Sequence, residues 1–166
     1  MTIEEIKLIL VKGDLKALSA ALSDFSINEV DQHGSNILHY YIKSLKDLKI
    51  APADLFAELD KHKFDYNARQ EKKFKRTPLG LAVFTKSKEI VDLLLKRKVD
   101  VDLEDENGNP PLFDAVFKYD GDDYFIKHLL KAGADANKEN LHGMSPLKLA
   151  NNIANTDVKK FFAVKA

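Results

Sequence analysis

A repeat of roughly 33 to 35 residues constrains this chain more than any other feature. Four short segments share a start at Asn, Thr, Pro or Ser followed by a largely apolar run. These segments are Asn36–Tyr41, Thr77–Ala82, Pro110–Ala115 and Ser145–Ala150. Their last residues are separated by 41, 33 and 35 positions. Such a period predicts a stack of similar units, because one unit cannot bury its apolar face alone.

A second recurring segment lies between these starts, and each copy follows an apolar run. Its copies are Phe64–Asn67, Val99–Asp102 and Ala134–Asn137. Their aspartates are spaced by 35 and 35 residues. The preceding apolar residues recur at the i, i+3, i+4 spacing of a helix that buries one side. Each unit therefore predicts two helices, the first starting at Ser/Thr-Pro and the second ending before a tight turn.

These segments resemble the ankyrin repeat, a unit of about 33 residues with a Thr-Pro-Leu-His start and a Gly-Ala-Asp-Val-Asn end. The stretch Leu129–Asn137 matches the end, and Thr77–Ala82 matches the start with Gly80 in place of the usual His. The stretch from Gly13 to Leu22 resembles the outer helix of a first repeat. The resemblance covers nearly the whole chain.

The resemblance implies an all-α ankyrin solenoid of about four to five helix-turn-helix repeats with short β-turn fingers, in one domain over 1–166. The approximate units are an N-terminal cap 1–30, then 31–70, 71–104, 105–139 and a C-terminal cap 140–166. The expected helix pairs are 3–11/14–22, 37–45/53–62, 78–86/88–97, 111–119/122–132 and 146–153/156–163. Only the first unit keeps the His of the starting motif, His39. In the family this His usually hydrogen bonds neighbouring loops together.

Extra residues interrupt the repeat at two informative places. About six lie between the helices of the first unit, around Leu45 to Pro52, and two lie in the turn between Asn67 and Thr77. That turn has no Gly. The longer finger is predicted to reach a partner, with Phe74 as the anchor. The steering charges would be Lys72, Lys73, Lys75 and Arg76. The alternative is a tolerated loop that its lysines keep soluble.

Fingers and the concave face of the inner helices are the usual contact surfaces in ankyrin repeats. The resemblance places Phe84 and Phe117 on this face, on adjacent repeats, with Tyr119 close by. Burial of a Phe side chain is worth roughly 1.5–3 kcal/mol, so two exposed rings favour a protein interface. The alternative is a slight rotation of the inner helices that buries both rings. Further candidate contact residues at the turns are His33, Glu106, Asn107 and His142.

Composition excludes several classes of protein. The 26 basic residues equal the 26 acidic residues, which disfavours nucleic acid as a partner. The absence of Cys excludes disulfides, thiolate metal sites and cysteine nucleophiles. Neither a signal peptide nor an apolar stretch of about 18 residues is apparent, so a cytoplasmic protein with no membrane contact is expected. Acidic runs after Asp100 and Asp120 indicate either a partner of mixed charge or a salt-bridged surface.

No pattern of catalytic or metal-binding residues is evident. The run from Asp100 lacks the Gly that a calcium loop needs at its sixth position, and the five His residues show no metal-ligand spacing. We therefore expect no enzyme activity, no cofactor and no metal. The leading hypothesis is a protein-binding module, specifically a small stand-alone inhibitor or immunity protein that masks a partner such as a bacterial toxin. The alternative is a non-inhibitory scaffold or adaptor, or a host-directed effector.

Overall fold

The computed structural model describes residues 1–153 and 156–163. Within this part the chain forms nine α-helices and two short 3-10 helices, with no strand. The α-helices are α1 (Ile3–Lys12), α2 (Leu15–Ser23), α3 (Ile37–Lys43), α4 (Pro52–Asp60), α5 (Pro78–Phe84), α6 (Lys88–Lys96), α7 (Pro111–Phe117), α8 (Tyr124–Lys131) and α9 (Pro146–Asn152). The 3-10 helices are Leu45–Asp47 and Thr156–Phe161. The predicted all-α class is confirmed.

The helices stack in two rows. Helices α1, α3, α5, α7 and α9 form an inner row in which each helix contacts the next, while α2, α4 and α6 pack in sequence in an outer row. The core lies between the rows and contains side chains such as Leu38, Leu59, Leu94 and Leu129. This arrangement is a solenoid, in which packing between neighbouring units supplies the stability. None of the described helices is both long and apolar enough to cross a membrane.

Side-chain caps explain where the inner helices begin. The Thr77 hydroxyl accepts a hydrogen bond from the Gly80 N–H at 3.1 Å, and the Ser145 hydroxyl accepts one from Lys148 at the same distance. Each bond satisfies an amide that has no partner within its helix, and the following Pro needs none. The Ser/Thr-Pro starts predicted from the sequence are confirmed. Pro110 stands at the third start and provides no such cap.

Several helix ends differ from the predicted bounds. The inner helices α3, α5 and α7 end two residues early, at Lys43, Phe84 and Phe117, because the next residue leaves the helical conformation. Helix α8 begins at Tyr124 and not at 122, because the Asp122 carboxylate accepts a hydrogen bond from the Tyr124 N–H. The final predicted helix is a 3-10 segment. It spans Thr156–Phe161, two residues short of the predicted range 156–163.

Four loops project at the starts of the inner helices, and we call them fingers 1 to 4. They are Asp31–Ser35, Gln70–Arg76, Asp105–Asn109 and Asn140–Met144. In each finger the first N–H donates to the last carbonyl, at 2.9–3.0 Å. This hydrogen bond joins residues six positions apart in finger 2 and four positions apart in the other fingers. Finger 2 therefore has the two extra residues that the spacing predicted. Neighbouring fingers are joined by further backbone hydrogen bonds, for example from the Glu106 N–H to the Phe74 carbonyl at 2.9 Å.

His39 joins the first unit to finger 2. Its Nε2 lies 2.9 Å from the Arg76 carbonyl oxygen, and its side chain is fully buried. Burial lowers the pKa of His39 to about 4, so the imidazole is neutral at neutral pH and Nε2 is the donor to the carbonyl. This is the loop contact that the family resemblance implied. At the later starts Gly80 and Phe113 have no comparable donor, and Lys148 donates within its own unit, to Glu139 and the Gly143 carbonyl.

Candidate functional site

Finger 2 turns without glycine. Phe74 and Lys75 both adopt the left-handed conformation, with φ of 65° and 47°, whereas fingers 1, 3 and 4 place Gly there. A non-Gly residue in this region costs roughly 1–2 kcal/mol. Backbone hydrogen bonds to both neighbouring fingers offset this cost, including one from the Glu71 N–H to the Gly34 carbonyl. The result is a finger that holds the Phe74 ring 52% exposed.

Arg76 is not an exposed steering charge, and this part of the sequence prediction is wrong. Its side chain is only 11% exposed, and Nη2 lies 3.3 Å from the Asp114 carboxylate and 3.5 Å from that of Asp105. Burial raises the pKa of Asp114, and the charge of Arg76 opposes that rise. Arg76 therefore ties finger 2 to finger 3 and to α7. The other basic residues of the finger, Lys72, Lys73 and Lys75, are exposed.

Phe84 is covered by two cations. The Arg76 guanidinium carbon lies 4.2 Å from the centre of its ring, and the Lys118 ammonium lies 3.4 Å from it. Lys118 also donates to the Phe84 carbonyl at 2.8 Å, and burial lowers its pKa. Attraction between a cation and the ring face is worth about 0.5–2 kcal/mol. Phe84 is therefore half-buried, with two cations over its ring, and its role in binding stays a prediction.

Phe117 and Tyr119 have different surroundings although they are close in sequence. Phe117 ends α7 with 65% of its surface exposed. The Tyr119 ring packs edge-on against Phe161 of the C-terminal 3-10 helix, with ring centres 5.7 Å apart. Phe117 thus matches the predicted exposed ring, whereas Tyr119 is partly buried against the C-terminal cap.

Contacts in the structure connect Phe74 of finger 2 with Phe84 of the inner row, two residues that the sequence assigned to separate surfaces. Arg76 lies 5.6 Å from the centre of the Phe74 ring and 4.2 Å from that of Phe84, and Lys118 covers Phe84 next to Phe117. We call this set, from Phe74 to Phe117, the aromatic–cation row. It runs from the tip of finger 2 across α5 to the end of α7. An exposed phenyl ring lies at each end.

The predicted turn residues all lie at finger tips and are exposed. They are His33, Glu106, Asn107 and His142, on fingers 1, 3 and 4. Asp31 and Asn140 fix their fingers by accepting the N–H groups of His33 and His142, each at 2.9 Å. The finger tips therefore form a rigid edge beside the aromatic–cation row. Their role in binding stays a prediction.

The acidic loop between α7 and α8 is neutralised by lysines of the same chain. Asp120, Asp122 and Asp123 pair with Lys86, Lys88 and Lys127. This favours the salt-bridged alternative for this loop over a free acidic contact. Among the described residues no group of His, Asp or Glu has the arrangement of a metal site.

Sequence reasoning missed several exposed apolar residues. Leu8 and Val11 of α1 are 61% and 44% exposed, and Leu141 of finger 4 is 74% exposed. A signal for the first two was present, because they fall off the buried stripe that Ile6 and Leu10 form on α1. No periodic signal marks Leu141, which lies in a turn.

Comparison with known proteins identifies the family. A family model of ankyrin repeats in three copies matches residues 53–140. The chain is also 34% identical over 122 residues to the nuclear factor NF-kappa-B p105 subunit of the chicken, Gallus gallus. That match covers 73% of this chain and 12% of the chicken protein. The chain belongs to the ankyrin-repeat family. It is therefore a protein–protein interaction module, of a kind that is typically not enzymatic.

Proposed function

We propose that this chain binds another protein through the aromatic–cation row and the finger tips, and that binding covers a functional surface of the partner. The row carries the proposal, because it presents Phe74 and Phe117 exposed at its two ends. Exposed apolar side chains rimmed by charges are typical of protein interfaces. Aromatic and Arg side chains supply most of the binding energy at such interfaces.

One continuous surface favours one partner. An adaptor needs two surfaces that can be occupied at once, whereas a masking protein needs a single one. We therefore propose a cytoplasmic inhibitor without catalytic activity, for which an immunity protein against a bacterial toxin is the model. The second candidate is a scaffold or host-directed effector that uses the same surface and leaves its partner active.

Capture from a lysate of the source cells tests the surface. Phe117→Asp is the test variant, because Phe117 is exposed and its loss should leave the fold intact. Leu15→Asp, at the start of outer helix α2, is a matched control, because it changes an exposed apolar residue away from the row. We expect wild type and Leu15→Asp to retain one stoichiometric partner that Phe117→Asp loses, with unchanged circular dichroism. Equal capture by all three would contradict the proposed surface.

The activity of the purified partner separates the inhibitor from the adaptor. We expect wild-type protein to abolish that activity at a one-to-one ratio, and Phe117→Asp to leave it intact. An active partner in the complex, together with a second bound protein, would favour the adaptor instead.

A further inference from the structure

Two grooves adjoin at the N-terminal end of the inner row, beside the aromatic–cation row. The first, of about 560 Å³, lies between α1 and α3 and is walled in part by Leu8 and Val11. The second, of about 250 Å³, lies against finger 2 and includes Phe74. His33 and Lys43 line both grooves, so the two form one continuous trough.

The trough has a basic end and an apolar end. Lys43, Lys72 and Lys73 line the second groove, and none of them forms an ion pair with a carboxylate of the described chain. In the first groove, by contrast, the ammonium of Lys7 lies 2.7 Å from the Asp31 carboxylate and 2.8 Å from that of Glu4, so its charge is offset within the chain. An occupant that matches the trough is therefore negative at one end and aliphatic at the other.

The floor of the basic end contains a buried amide with one unpaired atom. Gln70 is buried, and its Nε2 donates to the Ser35 hydroxyl at 2.8 Å, while its Oε1 has no partner. Leaving a buried acceptor unpaired costs about 1–3 kcal/mol. Lys43 donates to the same hydroxyl at 3.3 Å, and burial lowers its pKa. A carboxylate of a bound peptide at this end would lie beside Lys43.

We propose that the trough holds an extended acidic segment of the protein partner, with its carboxylates at finger 2 and an aliphatic side chain on α1. Lys72 and Lys73 bind the carboxylates, and Leu8 and Val11 contact the aliphatic side chain. The proposal rests on the proposed function, because it assigns part of the same partner to a second area of the surface. Basic residues at a site of this kind steer association and select the sign of the partner's charge.

Synthetic peptides test this assignment without a known partner. The probe is a peptide with a glutamate-rich half and a leucine-containing half. A second peptide has Lys in place of each Glu, and a third has Ser in place of each Leu. Binding is followed by amide chemical shifts in two-dimensional NMR of the full chain. We expect the first peptide to give saturable shifts at fingers 1 and 2, the Gln70 side-chain amide and α1, and the lysine peptide to give none there.

Charge reversal supplies the matched variants. Lys72→Glu combined with Lys73→Glu should weaken binding of the glutamate-rich peptide at least about tenfold. The same change should allow the lysine peptide to bind. Lys96→Glu combined with Lys131→Glu, in the outer helices α6 and α8, changes the net charge equally and should leave binding unchanged. The Leu-to-Ser peptide should lose its shifts on α1 while keeping those at finger 2.

Three results would overturn the proposal: absence of shifts at fingers 1 and 2, equal binding of the two charge forms, or a loss in the control variant as large as in the test variant. Tighter binding of an oligodeoxythymidine would also overturn it and would point to nucleic acid. Leu15→Asp, at the start of outer helix α2, should bind the peptide normally. If the peptide fails while partner capture still depends on Phe117, only the trough assignment fails. If capture is independent of Phe117, the proposed function fails.

Discussion

Fingers 2 and 3 reach similar positions by different means. Finger 3 turns at Gly108, where φ is 78°, and its Asp105 carboxylate accepts the N–H groups of Asn107 and Asn109. Finger 2 has Gln70 in place of the aspartate and no glycine at its turn. It is held from outside, by His39 behind it and by the Arg76 ion pairs beside it. A finger can therefore be stabilised by its own turn or by its neighbours, and the second way leaves room for a longer, charged tip.

Removal of Arg76 should produce the largest effect. Arg76→Ala leaves Asp114 buried without its ion-pair partner, and breaking such a pair is expected to lower the free energy of unfolding by about 3 kcal/mol. The matched change is Lys148→Ala in α9, beside finger 4, because Lys148 pairs with Glu139 where both side chains are half-exposed. That change should stay within about 1 kcal/mol. Denaturant unfolding measures both, and equal losses would show that Arg76 does not hold finger 2.

His39 should make the stability of finger 2 depend on pH. Its pKa falls from 6.5 to about 4 on folding because the ring is buried, so the unfolded chain takes up the proton first. The stabilising contribution is therefore full above about pH 6.5 and is lost as the pH falls toward 4. Between about pH 7 and pH 5 we expect a loss of roughly 2 kcal/mol, which is 1.36 kcal/mol for each pH unit below 6.5.

The control for this prediction is His39→Gln, which removes the titrating group. The variant should be less stable at neutral pH but should show a flatter change between about pH 7 and pH 5. A parallel decline in both proteins would show that groups other than His39 cause the pH dependence in this range.

Gly108 tests the finger that relies on its own turn. A Cβ at Gly108 would meet the Leu141 backbone nitrogen at 2.8 Å, whereas one at Gly133 would meet nothing within 4 Å. Both glycines have positive φ. We expect Gly133→Ala to lower the free energy of unfolding by about 1 kcal/mol, from left-handed strain alone. Gly108→Ala should lower it by about 1.5 kcal/mol or more. Thermal unfolding of the two variants measures the difference. Identical melting temperatures would mean that fingers 3 and 4 move apart at Gly108 and Leu141 without a cost in stability.

The repeat period predicted the fold because apolar spacing and Ser/Thr-Pro caps are local signals. The same spacing located the extra residues of finger 2 correctly. It could not predict that Arg76 turns inward, because its partner Asp114 is 38 positions away and the sequence does not give the direction of a side chain. The exposure of Phe117 and the packing of Tyr119 on Phe161 likewise depend on how neighbouring units stack. A count of charges does not distinguish the four basic residues of finger 2, although Arg76 is paired with carboxylates and the three lysines are exposed.

The smallest effect, and the sharpest test of the comparison, concerns the strain of finger 2. Lys75→Gly relieves a left-handed residue, which is worth about 1–2 kcal/mol, but it also adds freedom to the unfolded chain, which costs about 0.5–1 kcal/mol. We therefore expect a net gain of roughly 0.5 kcal/mol in the free energy of unfolding. The control is Lys73→Gly, at a position of the same finger that lacks positive φ and so should gain nothing. If both changes destabilise equally, the left-handed turn of finger 2 stores no strain. In that case fingers 2 and 3 differ in length and charge but not in how firmly their turns are held.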